Sequence, residues 1–151
     1  HKSNWGIIIF VKPANQIYYR MKLKLFLIFA VFGICFMSAQ DLEGSWKWTS
    51  PDGSQQFDIE LEKISDKEYR GKHCAIFDNG ERIDCASDDT FSIVLLKISE
   101  GNFAGTIESS YEQSQGKIRM QYHTQEDVLY FNLTKNPPGI FYLPTEAILT
   151  R

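Results

Sequence analysis

Alternation with a period of two dominates the chain after Gln40. Phe57, Ile59 and Leu61 alternate with Asp58, Glu60 and Glu62. Ile118, Met120 and Tyr122 alternate with Lys117, Arg119 and Gln121, and Leu129, Phe131 and Leu133 with Val128, Tyr130 and Asn132. Successive side chains of a strand point to opposite faces, so this is the pattern of strands with one buried face. No segment after Gln40 sustains a helical period. Turn signals separate the runs: Pro51-Asp52-Gly53, Asn79-Gly80, Gly101-Asn102 and Pro137-Pro138-Gly139. Short strands at this spacing predict an all-β sandwich or barrel.

Register arithmetic sharpens the expectation. A hairpin centred on Asp52-Gly53 sets Trp48 against Phe57, Trp46 against Ile59 and Gly44 against Leu61. One centred on Gln125-Glu126 sets Tyr122 against Leu129, Met120 against Phe131 and Ile118 against Leu133. Both pairings gather apolar groups on one face. A type I′ turn at Asn79-Gly80 sets Ile76 against Ile83 and Cys74 against Cys85. A disulfide across that hairpin fits the Cα separation of about 5.5 Å in a hydrogen-bonded pair. A hairpin around Gly101-Asn102 sets Leu96 against Ile107, and a last strand is expected at about Glu146 to Thr150. Consecutive hairpins make an antiparallel up-and-down meander of about 8–9 strands. Closing it removes exposed edges, so a closed or nearly closed barrel is expected, with a curved open sheet as the alternative.

The N-terminal quarter reads differently. Met21-Lys22-Leu23-Lys24, the apolar run Leu25–Met37 and Ser38-Ala39 have the layout of a secretory signal over 21–39, helical in its apolar part and cut after Ala39. The 13-residue run is short for a bilayer span, which needs about 20 residues. Residues 1–20 are expected to be an upstream leader or a start-site artefact. Residues 40–151 would then form one exported domain, periplasmic or extracellular, with no stable membrane span. They hold all 19 acidic residues but 11 of the 16 basic ones, a net charge of −8. That charge repels phosphate backbones and argues against a nucleic-acid partner. Cys35 lies in the signal; Cys74 and Cys85 remain as a pair for an oxidising compartment.

Leu42-Glu43-Gly44-Ser45-Trp46-Lys47-Trp48 opens the expected domain. A Gly-x-Trp on the first strand ahead of a meander resembles the calycins, which include lipocalins, avidins and fatty-acid-binding proteins. The resemblance implies that Trp46 plugs one barrel end under the last strand. It also implies an arginine late in the chain stacked on that Trp, a place that only Arg151 can take. The Ser38-Ala39-Gln40 signal end and the Gly-Ser-Trp-Lys opening resemble exported domains of Gram-negative bacteria.

Candidate functional residues are weighed on that frame. Trp48, Phe57, Tyr69, Phe103, Tyr122 and Phe131 could line an apolar pocket, although a packed core uses the same residue types. His73 and His123 are isolated, Cys74 and Cys85 lie 11 apart, and no ligand cluster suggests a metal or cofactor. Both histidines are expected to be exposed. Asp58, Glu60 and Glu62 read as a solvated strand face. The acidic segments Asp78–Glu81 and Ser87–Thr90 read as turns, because neither follows a calcium-loop pattern. Ser87, Ser109 and Ser110 lack a nucleophile-elbow motif, so no enzyme is expected. Two roles stay open: a non-enzymatic binding module for a small apolar ligand, or a protein-interaction domain with a filled barrel. The latter would be a protease inhibitor or envelope-associated structural domain touching its partner through Ser50–Ser54 and Lys135–Leu143.

Overall fold

The computed structural model describes residues 41–151. The expectations for the signal, the leader and Cys35 lie outside the described residues. Nine strands follow in chain order: β1 (Gly44–Thr49), β2 (Gln56–Ser65), β3 (Glu68–Phe77), β4 (Arg82–Cys85), β5 (Ile93–Ser99), β6 (Asn102–Glu108), β7 (Gln115–His123), β8 (Val128–Lys135) and β9 (Glu146–Thr150). The sheet order is β2-β1-β9-β8-β7-β6-β5-β3-β4, and a further β2–β3 pairing closes the ring. The expected meander is therefore a closed antiparallel barrel of eight strands, with β4 as an extra strand beside β3. Among the described residues no helix is long and apolar enough to cross a membrane.

Burial follows the alternation. β2 buries Phe57, Ile59 and Leu61, β7 buries Ile118, Met120 and Tyr122, and β8 buries Leu129, Phe131 and Leu133. The hairpin registers at Asp52-Gly53 and Gln125-Glu126 match the sequence arithmetic at each of the pairs named above. β3 is long enough to hold two neighbours on one edge. Glu68–Gly71 pairs with β5, and Cys74–Phe77 pairs with β4. Gly71 marks the change of partner. A Cβ there would lie 2.2 Å from the Glu60 carbonyl oxygen, so a side chain would push β2 away.

Three expectations are corrected. The β5–β6 hairpin turns at Glu100-Gly101 and is bulged between Lys97 and Ser99, so Leu96 faces Ala104 and Ile93 faces Ile107. Leu96 points outward as a result, and Leu95 takes the interior. The physical reason is local. Gly105 carries no side chain at a point where a Cβ would be 1.8 Å from the Val94 carbonyl oxygen, which lets β5 and β6 approach closely in this register. The β3–β4 connection is a four-residue loop containing a 3-10 turn, not a two-residue turn, with Asp78, Asn79 and Gly80 all at positive φ. Finally, Cys74 and Cys85 do form a disulfide, but with Cα atoms 3.9 Å apart. The Ala86 N–H bonds the His73 carbonyl, which makes the neighbouring Cys74–Cys85 pair the narrow, non-hydrogen-bonded kind.

Candidate functional site

The two ends of the barrel are built differently. At one end short turns join β2 to β3, β5 to β6 and β7 to β8. Here Trp46 lies fully buried, its ring edge-on to Tyr122 at 5.6 Å and its Nε1–H donating to the Leu42 carbonyl at 2.9 Å. The Arg151 guanidinium lies over the Trp46 ring, 4.3 Å from its centre. It also donates to the Glu43 and Asp41 carbonyls and to the Asp127 carboxylate. Beside it the Tyr69 hydroxyl donates to Asp41, and the Tyr122 hydroxyl donates to Asp127 at 2.7 Å. Burial, and then those anionic partners, push both phenols above the usual tyrosine range. Burial alone would raise Asp41, but hydrogen bonds from Tyr69 and Lys63 outweigh it and hold the carboxyl low.

The six aromatic candidates are placed along the interior. Phe57 meets Phe131 at 4.8 Å between ring centres, and Tyr69 meets Phe103 edge-on at 5.6 Å. Tyr122 packs on Trp46, and Trp48 is half-buried against the same core. A void wide enough for water would leave accessible surface on its walls. Phe57, Ile93, Leu95, Ile107, Leu129 and Leu149 have none, and Phe131 is 2% accessible, so the middle of the barrel is occupied by side chains. A half-open concavity of about 1050 Å³ runs past Arg119, Gln121, Tyr130, Asn132 and Ile148 on the outer faces of β7, β8 and β9, and the candidates Trp48, Phe103 and Phe131 border it together with Met120.

The opposite end is closed by long loops, and it holds the polar cluster that the sequence reading missed. Asp84, on β4, is fully buried. It accepts hydrogen bonds from the Ser109 hydroxyl (2.6 Å), the Ser110 N–H (2.7 Å) and hydroxyl (2.9 Å), and the Tyr142 N–H (3.0 Å). His73 Nε2 donates to it at 3.3 Å. On the other side of the ring, His73 Nδ1 accepts from the Ser92 hydroxyl at 2.7 Å, and Ser92 Oγ in turn accepts the His73 N–H at 3.1 Å. Burial alone would raise the Asp84 carboxyl, but bonds from His73, Ser109 and the Tyr142 and Ser110 amides outweigh it. They hold it below the usual carboxylate range.

His73 corrects an expectation of exposure: it is 3% accessible. His123 is half-buried, its ring 4.6 Å from that of Tyr130 on the outer face. The signal for His73 was present in the sequence. Its strand partner is Ile59, an interior residue, and the Cys74 beside it faces out. By the same alternation Asp84 opposes Ala75 and must point inward. The order Ser92–His73–Asp84 is that of an acyl-transfer relay. Here the Ser92 hydroxyl is engaged on both sides, donating to His73 Nδ1 and accepting from the His73 N–H. One carboxylate ties β3, β4, the Ser109–Ser114 loop and the Asn136–Thr145 loop together.

Above that carboxylate the long loops form an aromatic surface. Tyr142 stacks edge-on with Tyr111 at 5.0 Å, lies 6.4 Å from Phe77 and carries the Arg82 guanidinium 5.1 Å from its ring centre. Ile140, two residues before Tyr142, is exposed, as is Phe91 in the segment between β4 and β5. Among the described residues no set of three His, Cys, Asp or Glu side chains is gathered as for a metal ion. Compared with protein-family models, curated proteins and solved structures, the chain matches none.

Proposed function

We propose that residues 40–151 are an exported, non-enzymatic domain of the calycin type whose barrel is a solid support and whose loop end binds a protein. The observation that carries this reading is the side-chain-filled interior: a barrel without room for a guest acts through its surface. The calycin assignment is supported by the Trp46–Arg151 stack under the first and last strands. Export is supported by the signal pattern over 21–39 and by the disulfide. The contact surface comprises Ser50–Ser54 and Lys135–Leu143, which carries the exposed Ile140. The five segments closing this end, 50–55, 78–81, 86–92, 109–114 and 136–145, carry six carboxylates and no lysine or arginine. Lys135 and Arg82 stand at the margins of these segments, and such a predominantly acidic surface selects a partner with a basic face and speeds its encounter.

Two measurements test the reading. Fatty acids, haem and sterols should fail to displace an apolar dye from the purified domain, whereas one tightly held equivalent would replace the reading with a ligand carrier. A photoreactive residue at Ile140 should cross-link a partner in the periplasmic fraction, less so at high salt, while one at Lys47 on the barrel wall should not. Equal labelling from both positions would remove the loop end as the contact surface.

A further inference from the structure

We propose that the Cys74–Cys85 disulfide is a redox latch for the loop end. The inference rests on the reading of that end as the contact surface for its consequence, though not for its chemistry. β4 is four residues long and pairs with β3 alone. The side chains of Cys74 and Cys85 lie on the outer face, opposite Asp58 and half-buried, where a dithiol can approach them. The residues preceding them in sequence, His73 and Asp84, point the other way and meet inside the barrel at 3.3 Å. Asp84 in turn holds the Ser109–Ser110 segment and the backbone of Tyr142. The cross-link outside and the carboxylate inside therefore fix the same short strand. Without the cross-link, β4 keeps its place through a few ladder bonds on one edge and the bonds to Asp84, and whatever moves β4 moves the acceptor that holds Ser109, Ser110 and the Tyr142 backbone of the Lys135–Leu143 contact loop.

The chemistry is thiol–disulfide exchange with a dithiol reductant. One thiolate of the reductant attacks a cystine sulfur and expels the other cysteine as thiolate; its second thiol then displaces the first sulfur. Two electrons pass to the protein, Cys74 and Cys85 end as thiols, and the reductant ends as a disulfide.

The test is amide hydrogen exchange on the intact domain, oxidised and then reduced with dithiothreitol, with a Cys74→Ser/Cys85→Ser variant as a second route to the open state. The Ser110 and Tyr142 amides, which donate to Asp84, should exchange roughly 30- to 150-fold faster after reduction, the factor expected for removing a short-loop cross-link. The Tyr122 amide, bonded to the Gly101 carbonyl at the other end, should stay within about twofold if its local stability is independent. Unchanged exchange at Ser110 and Tyr142, a loss of protection spread over the whole barrel, or a disulfide that resists dithiothreitol in the native state would each overturn the latch. Cross-linking from Ile140 reads the contact surface separately, so a failed latch and a failed contact surface give different results.

Discussion

The two ends of this barrel solve the same problem with opposite chemistry. A barrel of eight strands must cover the apolar side chains that emerge at its rims. At the Trp46 end an aromatic plug does this, capped by the Arg151 guanidinium, with the charges partly in water. At the loop end a single buried carboxylate on β4 gathers donors from three other segments, with its charge inside. Exposed ion pairs contribute little and can be lost one at a time, whereas a buried charge whose neighbours were built around it fails as a unit. The Trp46 end is thus tolerant, and the loop end is cooperative and breakable at one point.

The largest test of that contrast is Asp84→Ala. It leaves five donors without their acceptor, those of His73 and Ser109 fully buried, and should cost about 3–5 kcal/mol in denaturant unfolding. A loss under 1 kcal/mol would mean that the three donor segments hold without their common acceptor. The acid limb of stability gives the next test. Because the folded-state pKa of Asp84 lies below its ordinary value of 3.8, the folded protein binds fewer protons there than the unfolded chain. Its contribution is complete above that value and drains away as pH falls from there toward the folded pKa. Asp84→Asn, if it folds, should therefore show a flatter decline below pH 3.8 than the parent. Equal slopes would place the acid sensitivity elsewhere, for instance at Asp52, whose carboxyl is pulled down to about 2 by the Ser50 hydroxyl and by Ser54.

At the tolerant end, Arg151→Ala removes a cation over an indole and bonds to two carbonyls from a side chain that is 36% exposed. The expected loss is about 1–2 kcal/mol, visible in Tm and in Trp46 fluorescence. A cost as large as that of Asp84→Ala would erase the distinction between the ends. The smallest effect is spectroscopic. Tyr69 and Tyr122 should ionise above the ordinary value of 10 in an ultraviolet titration, because their phenols face Asp41 and Asp127. Both keep their protons longer in the folded state, so their contribution declines as pH rises past 10. Replacing Asp41 with Asn should bring Tyr69 down and leave Tyr122 in place.

Much of the fold was legible because period-2 alternation reports the inner face directly. The pairs Trp48–Phe57 and Met120–Phe131 follow from centring a turn between two alternating runs, and the structure holds both. The β5–β6 register was not legible, since it depends on a bulge at Lys97/Ser99 and on how close Gly105 approaches Val94, neither of which leaves a periodic mark. The loop-end cluster was half legible. Setting Cys74 against Cys85 already placed His73 and Asp84 on the face opposite the disulfide, and that face is the interior. Polar residue type suggested solvent, while strand geometry required burial. What no spacing could show is that Ser109, Ser110 and Tyr142 come 25 to 58 residues along the chain to meet Asp84.

The central claim is that the barrel is solid from the Trp46 plug to the Asp84 cluster. Xenon uptake under pressure tests it most directly, because xenon enters dry apolar cavities and nothing else about the domain needs to be known. The filled interior predicts no xenon site inside the parent barrel and a new one in Phe131→Ala, where the ring against Phe57 is removed. An occupied site inside the parent, between Phe57, Met120 and Phe131, would contradict it and return the barrel to the ligand carriers.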